Sequence, residues 1–268
     1  MRLKDKVAIV TGTRSGIGRE IALRYAAEGA KVLCCTRAAI DSHSLADEIR
    51  AKGQAAKYVE CDVSKEGDVA NAVKEAAREY GRLDIVVNNA GVNFAKPFLE
   101  TTTEDWDRVI NTDLRGTFFF CKYGIAEMLK TNGGAIINIT SVHTVAGYPE
   151  AAPYDAAKCG VVGLTRALSA EFAGRNIRVN ALSPGLIDTK IWGDILDAAE
   201  DKEACMAYWA ANIPAGRPGA AGEVASACVF LGSDEAAYFN GSNIVVDGGM
   251  TSLLVSKQNF KSTALNGN

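Results

Sequence analysis

Short apolar runs alternate with longer stretches in which apolar residues recur at helical spacing. The short runs predict seven buried strands, at residues 7–11, 31–35, 56–60, 84–87, 135–140, 176–182 and 243–246. The longer stretches predict helices at residues 19–29, 41–51, 66–80, 103–130, 153 onward and 223–231. This alternation predicts an α/β fold, with one doubly wound parallel sheet of seven strands and helices on both faces.

The chain is predicted to form a single domain. No linker, repeat or low-complexity block divides its 268 residues, and this length suits one large α/β domain. The domain spans residues 1–255, and the polar stretch 256–268 is expected to be a loosely held tail. Residues 186–212 mix aromatic side chains, acidic side chains and glycine. We predict that they form a helical flap over a pocket, with an oligomer contact as the alternative.

Charge and cysteine content exclude several classes of protein. The net charge is −3 and no basic run occurs, which argues against a nucleic-acid partner. No apolar run reaches membrane-spanning length, and the first residues enter a strand without the layout of a signal peptide. The seven cysteines are an odd number without CxxC spacing. They predict reduced thiols in a cytoplasmic protein, and no metal site.

A glycine loop, TGTRSGIG, follows the first predicted strand and precedes a predicted helix. Its glycines are Gly12, Gly16 and Gly18. In this context small residues let the backbone approach a pyrophosphate, and the helix N-terminus offers N–H groups. The spacing GxxxGxG departs from the common GxGxxG, and a tight turn is the alternative. We favour nucleotide binding, which makes the predicted sheet Rossmann-like.

The residues after the second strand bear on the choice of cofactor. An acidic residue that would bind a ribose 2′-hydroxyl is expected about twenty residues past the loop, and none is present. Thr36 is uncharged, whereas Arg37 and Arg14 could both face a 2′-phosphate. NADP(H) is therefore the predicted cofactor, with NAD(H) possible if Arg37 instead stacks on adenine or is solvated. Asp62 could accept a hydrogen bond from the adenine amino group or be a loop carboxylate.

Three side chains near the fifth strand have useful chemistry. Tyr154 and Lys158 are four residues apart in a predicted helix that begins near Pro153, so they share one face. A cation beside a phenol favours the phenolate, which makes Tyr154 usable as an acid or base. Ser141 follows the fifth strand, at the edge where open α/β sheets bind ligands. A surface pair is the alternative if the spacing is taken alone.

These motifs together resemble those of the short-chain dehydrogenase/reductase family over residues 4–250. The resemblance rests on the order and spacing of TGTRSGIG, Asp62-Val63, NNAG at 88–91, Ser141, YDAAK at 154–158 and Pro184-Gly185. It implies the strand order 3-2-1-4-5-6-7 and a homotetramer. It also implies that Tyr154 is the general acid/base, that Lys158 binds the nicotinamide ribose, and that Ser141 binds the substrate oxygen. Both hydroxyls would stabilise charge that develops on a carbonyl oxygen during hydride transfer.

The resemblance also implies where the cofactor binds. Thr189 would meet the carboxamide or the phosphates, and backbone near Asn89 and Pro184 would line the cofactor. The full set of implied cofactor-binding residues is Gly12, Arg14, Ser15, Gly16, Ile17, Gly18, Arg37, Asp62, Val63, Asn89, Ala90, Gly91, Tyr154, Lys158, Pro184, Gly185, Ile187 and Thr189.

One position departs from the family pattern. The family usually has a catalytic Asn in the middle helix, and counting from Trp106 and from Gly116 places Asp113 there. Asn111 is two residues early and would lie about 200° around a helix. The backbone carbonyl that holds a relay water in the family is kept at Asp113, so we expect an active enzyme. Its charge near Lys158 could perturb Tyr154, and a catalytically silent nucleotide-binding regulator is the alternative.

The substrate is predicted from weaker signals. His143, Tyr148 and Trp192 are candidate substrate-binding residues, with His143 expected to be a hydrogen-bonding wall residue and not a proton carrier. The run Ser141-Val142-His143 and the ending DGGMT are similar to sugar and polyol dehydrogenases of the family. We therefore predict that a secondary alcohol and a ketone are interconverted on a hydroxylated small molecule. A 3-ketoacyl thioester reductase is the alternative.

Overall fold

The computed structural model describes residues 1–37 and 44–254. The first part of the helix predicted at 41–51 and the predicted tail 256–268 lie outside the described residues. The strands of the described part are β1 (Val7–Thr11), β2 (Lys31–Thr36), β3 (Ala56–Glu60), β4 (Ile85–Asn88), β5 (Gly134–Ile139), β6 (Ile177–Pro184), β7 (Ile187–Asp188), β8 (Gly219–Ala220) and β9 (Asn243–Val246).

Seven of these strands form one sheet in the order β3-β2-β1-β4-β5-β6-β9. Every neighbouring pair is parallel, which confirms the predicted fold class and strand order. The remaining two, β7 and β8, pair with each other outside this sheet. They were not predicted, because two residues each are too few to leave an apolar pattern.

Helices cover both faces of the sheet, as predicted. They are α1 (Gly16–Ala27), α2 (Ser44–Ala51), α3 (Glu66–Tyr80), α4 (Thr103–Val109), α5 (Gly116–Met128), α6 (Ala152–Phe172), α7 (Lys190–Ala198), α8 (Lys202–Ala211) and α9 (Ala221–Gly232). One buried apolar cluster joins the sheet to α1 and α9, and a second joins it to α3 and α5. No helix of the described part is both long and apolar enough to cross a membrane.

The helical stretch predicted at 103–130 is present, but it contains a π-helical turn that was not predicted. Thr102 caps α4, since its Oγ1 accepts a hydrogen bond from Asp105 N at 3.1 Å. A π-helical turn, Ile110–Arg115, then separates α4 from α5. Such turns shift the side chains that follow and occur often at functional sites. Asp113 lies within this turn and is only 1% exposed.

Asparagine side chains tie the ends of neighbouring strands together. Asn88 Nδ2 donates to Asn138 Oδ1 at 2.8 Å, between β4 and β5. Asn89 Nδ2 donates to the Thr11 carbonyl at 3.0 Å, between the end of β4 and β1. Asn138 in turn donates to Thr165 Oγ1 of α6 at 2.9 Å. These bonds fix the sheet edge to which the helix carrying Tyr154 is attached.

Candidate active site

A cleft of about 1200 Å³ lies at the carboxyl ends of the central strands, the edge at which open parallel sheets bind ligands. Most residues predicted for the site line it, namely Gly12, Arg14, Ser15, Gly16, Ile17, Arg37, Asp62, Val63, Asn89, Ala90, Gly91, Asp113, Ser141, His143, Tyr148, Tyr154, Lys158, Pro184, Gly185, Ile187 and Thr189. Gly18 and Trp192 do not line the cleft. The fold thus gathers residues from widely separated parts of the chain into one site.

The glycine loop is packed tightly against the end of β4. Gly12 and Gly16 have φ angles of +70° and +59°, a region that side chains rarely adopt. A Cβ on Gly18 would lie 2.4 Å from both Asn89 Nδ2 and the Gly12 carbonyl oxygen. Gly18 therefore permits the close packing of this loop, which accounts for its place outside the cleft lining.

The loop fits the phosphates of a dinucleotide. Ser15 precedes α1 in an extended conformation, and its side chain makes no capping hydrogen bond. The first N–H groups of α1 therefore have no side-chain cap, and such groups bind anions. Thr189 lies over the same loop, with its methyl carbon 3.4 Å from the position of a Cβ on Gly16. This cradle suits a pyrophosphate on stereochemical and electrostatic grounds.

Asp62 and Arg37 line the cleft where β3 and β2 end, and we call this part of the cleft its outer end. The carboxylate Oδ1 of Asp62 accepts hydrogen bonds from Ser64 N at 3.1 Å and Ser64 Oγ at 2.7 Å. Burial alone would raise the pKa of Asp62, but these hydrogen bonds and the charges of Lys65 and Arg37 lower it. Asp62 is thus an anion with Oδ1 engaged. Arg14, in the glycine loop, also lines the cleft.

Ser141, Tyr154 and Lys158 meet in the cleft. Ser141 lies two residues beyond β5 and is 8% exposed. Tyr154 and Lys158 are one turn apart on α6, which has Pro153 in its first turn as predicted. The ammonium Nζ of Lys158 lies 5.3 Å from the centroid of the Tyr154 ring. The predicted common face of these two side chains is therefore confirmed.

A buried ion pair holds the ammonium of Lys158. Asp113 Oδ2 lies 3.1 Å from Lys158 Nζ, and the two side chains are 0% and 6% exposed. Asp113 Oδ1 accepts a hydrogen bond from Val92 N at 2.8 Å. Lys158 Nζ also donates to the Ile139 carbonyl at 3.4 Å. Since Oδ2 receives no well-aligned hydrogen bond from a described residue, its attraction to the ammonium is mainly between charges.

The charge of Lys158 is stabilised despite its burial. Removal from water would lower the pKa of this ammonium, but Asp113 and Tyr154 together raise it above its ordinary value. A buried lysine without such partners tends to lose its proton. These partners therefore favour the charged form of Lys158, as the predicted role beside Tyr154 requires.

The predicted flap contains α7 and α8, and α8 supplies cleft residues that the sequence analysis missed. Trp209 and Tyr208 line the cleft. Trp209 stacks on Tyr148 with ring centroids 6.5 Å apart. Trp192 is 7% exposed and packs edge-on behind Trp209 at 6.4 Å. The adjacent aromatic residues within the flap were the available signal, but the sequence does not indicate which of them face the cleft.

His143 has a partner that the sequence analysis also missed. Its Nδ1 lies 2.5 Å from Asp155 Oδ1, and the side chains are 21% and 20% exposed. Asp155 Oδ2 accepts a hydrogen bond from Tyr148 N at 3.2 Å. The His143 ring meets Tyr154 edge-on at 5.2 Å. The sequence signal for this contact was Asp155, an acidic residue directly after Tyr154. As the next residue of the helix, its side chain points in a different direction from that of Tyr154.

Comparison with known proteins gives consistent matches over nearly the whole chain. A family model described as Enoyl-(Acyl carrier protein) reductase matches residues 12–251. D-threitol dehydrogenase of Mycolicibacterium smegmatis is 39% identical over 250 residues, covering 93% of this chain and 94% of that protein. The 3-oxoacyl-(acyl-carrier-protein) reductase FabG of Thermotoga maritima is 38% identical over 251 residues, covering 93% and 99%. The crystal structure of levodione reductase has a TM-score of 0.89 at 32% identity, covering 94% and 99%.

A parallel sheet with a glycine loop and a serine, tyrosine and lysine at its carboxyl edge defines a nucleotide-dependent oxidoreductase. With these matches, the chain belongs to the short-chain dehydrogenase/reductase family. It is an NAD(P)(H)-dependent enzyme that interconverts a secondary alcohol and a ketone by hydride transfer.

The ion pair predicts an interaction between two substitutions. Lys158→Met leaves the Asp113 carboxylate buried without a cation, so we expect the free energy of unfolding to fall by up to about 3–5 kcal/mol. Adding Asp113→Asn removes the uncompensated charge and should restore part of that loss. Chemical denaturation of the parent, both single variants and the double variant, without cofactor, gives the coupling energy. Additive losses would show that the pair contributes nothing.

Proposed function

We propose that the protein is an NADP(H)-dependent alcohol dehydrogenase or carbonyl reductase that acts on a sugar, polyol or similar hydroxylated small molecule. The observation that carries the proposal is the meeting of Ser141, Tyr154 and Lys158 beside the glycine loop. The likeness to D-threitol dehydrogenase supports the substrate class. The His143–Asp155 pair on the cleft wall adds polar groups suited to a hydroxylated compound.

The proposed roles follow from charge development at the substrate oxygen. During oxidation Tyr154 takes the hydroxyl proton while Ser141 hydrogen-bonds the same oxygen. The nicotinamide cofactor, when bound beside these residues, would supply the hydride acceptor for oxidation and the hydride donor for reduction. During reduction the hydroxyls of Ser141 and Tyr154 stabilise negative charge on the oxygen, and Tyr154 returns the proton. The ammonium of Lys158 places a positive charge beside the phenol of Tyr154 and would lie near the nicotinamide ribose. The carboxylate of Asp113 holds this ammonium in position.

The acid/base role is tested by Tyr154→Phe, which keeps the ring and removes only the proton donor. General acid/base catalysis typically contributes roughly 10²–10⁴-fold, so turnover should fall by that factor while the cofactor still binds. Rates with a carbonyl panel and cofactor titrations by fluorescence measure both quantities. Tyr238→Phe, at a fully exposed tyrosine outside the cleft, is the matched control. Near-parental turnover of Tyr154→Phe would refute the assignment.

The preference for NADP(H) is supported by charge at the outer end of the cleft. Thr36 and Arg37 line this end, and Arg14 of the glycine loop lines the same cleft. The cleft thus contains guanidinium groups suited to a 2′-phosphate. The described residues at the end of β2, Thr36 and Arg37, include no carboxylate that would bind the ribose hydroxyls and repel that phosphate. We infer that the NADP(H) phosphate binds Arg37 and Arg14.

Arg37→Ala should weaken NADP(H) binding by roughly 1.5–3 kcal/mol, the value of a hydrogen bond to a charged group. The affinity for NAD(H) should change little, because the lost contact is to the 2′-phosphate. Arg175→Ala is the control, since it removes the same charge from an exposed arginine that precedes β6, at the opposite edge of the sheet. A parent protein that binds NAD(H) more tightly than NADP(H) would contradict the proposal.

Two other functions have a specific observation in their favour. A 3-ketoacyl thioester reductase is supported by the likeness to FabG. A catalytically silent nucleotide-binding regulator is supported by Asp113, which replaces the usual Asn. Incubation of the parent with reduced cofactor and a panel of ketoses and ketoacyl thioesters distinguishes all three. Oxidation of cofactor by ketoses alone is the outcome that our proposal predicts.

We also infer a homotetramer in the cytoplasm. Trp106 of α4 and Phe118 of α5 are 42% and 44% exposed, and association would bury this apolar area. All seven cysteines are free, which is consistent with a reducing compartment.

A further inference from the structure

The carboxylate of Asp155 joins two segments of the cleft wall. Its Oδ1 lies 2.5 Å from His143 Nδ1, in the turn after Ser141. Its Oδ2 accepts the Tyr148 N–H at 3.2 Å, in the segment that leads into α6. Asp155 itself stands in the first turn of α6, next to Tyr154. One side chain therefore positions both segments relative to the tyrosine.

The contact between His143 and Asp155 determines which hydrogen-bonding group His143 can present to a ligand. A carboxylate only accepts hydrogen bonds, so Nδ1 of a neutral His143 carries the proton and Nε2 carries the lone pair. No described side chain hydrogen-bonds Nε2. The backbone N–H of His143 donates to Ser141 Oγ at 3.3 Å, and its ring is edge-on to Tyr154 at 5.2 Å. In its neutral form, His143 thus presents a hydrogen-bond acceptor on the wall beside Ser141 and Tyr154.

An acceptor at this place discriminates between substrate classes. Ser141 and Tyr154 would both hydrogen-bond the reacting oxygen of the substrate. His143 is therefore available to a group on the neighbouring substrate carbon. A hydroxyl on the next carbon can donate to Nε2. A 3-ketoacyl thioester has a methylene group on the carbon next to its reacting ketone and so offers no hydroxyl proton there. A mono-alcohol likewise leaves the acceptor unsatisfied.

A row of aromatic rings connects this wall to the flap. His143 and Tyr148 have ring centroids 5.5 Å apart, and Tyr148 stacks on Trp209 at 6.5 Å. Because Asp155 also holds the backbone of Tyr148, its carboxylate is linked to the position of α8. Asp155 therefore orients the His143 ring and also, through Tyr148, supports the stacking contact with Trp209 of the flap.

We propose that His143, oriented by Asp155, accepts a hydrogen bond from a second substrate hydroxyl on the carbon next to the reacting carbon, so that the enzyme selects vicinal diols and their hydroxyketones. His143 is the specificity-determining residue and Asp155 is a positioning residue. This inference rests on the proposed function and narrows its substrate class.

The test compares sec-butanol with the butanediol that has hydroxyls on its two central carbons, using the parent enzyme and oxidised cofactor. One extra hydrogen bond should favour the diol about five- to tenfold in kcat/KM, which corresponds to about 1–1.4 kcal/mol. His143→Phe keeps the aromatic contacts and removes the acceptor, so the diol preference should disappear. His143→Gln keeps an oxygen acceptor and should retain part of the preference.

Asp155→Ala tests the positioning role, since it frees the imidazole without removing it. We expect a higher KM for the diol with a smaller change in kcat, and a reduced diol preference. Cofactor affinity, measured for every variant, shows that the site is folded. If His143→Phe fails to fold, His143→Gln and Asp155→Ala still report on the preference.

Each outcome has one meaning. A diol preference that is lost in His143→Phe supports the inference. Equal rates with both alcohols, or a preference that survives His143→Phe, overturn it and leave the proposed function standing. If the parent binds cofactor but oxidises neither alcohol, and reduces ketoacyl thioesters or nothing at all, both the inference and the proposed function are overturned.

Discussion

The buried pair of Lys158 and Asp113 is the interaction on which the site depends. Burying an ammonium away from water costs free energy unless a nearby anion compensates its charge. Asp113 provides that anion, with its Oδ2 3.1 Å from Lys158 Nζ. The same carboxyl group accepts the N–H of Val92, so it also fixes the segment after β4. Gly91 is constrained by this arrangement, since a Cβ there would lie 2.7 Å from Asp113 Oδ2. One carboxylate therefore connects the π-helical turn, the loop after β4 and α6.

This pair operates only because the fold brings its members to one edge. The strand ends are tied by Asn88, Asn89 and Asn138, and the π-helical turn directs Asp113 inward. The cation then lies 5.3 Å from the Tyr154 ring. Rigid elements thus hold the tyrosine, the lysine and the glycine loop, whereas the flap helices complete the wall on the substrate side. Positioning of this kind supplies much of the catalytic advantage of an enzyme.

The sequence predicted those features of the fold and the site that depend on the local pattern of residues. Apolar periodicity gave the seven strands, and the spacing of Tyr154 and Lys158 placed them on one helix face. The sequence could not predict the π-helical turn, because one extra residue per turn barely changes the pattern of residues 103–130. It also missed the His143–Asp155 contact and the cleft position of Trp209, since both depend on how distant segments pack. Trp192 was expected in the pocket and lies behind Trp209 for the same reason.

The central claim is that Asp113 keeps Lys158 charged. Because the folded-state pKa of Lys158 is raised, the stabilisation from the pair is full below the unfolded lysine pKa and is lost as pH rises through the folded value. Nitrogen NMR of the Lys158 ammonium, assigned with Lys158→Met and followed through alkaline pH, measures this directly. We predict a pKa above that of an ordinary lysine, and a lower pKa in Asp113→Asn. A pKa below the ordinary value in the parent, or one unchanged by Asp113→Asn, would contradict the account.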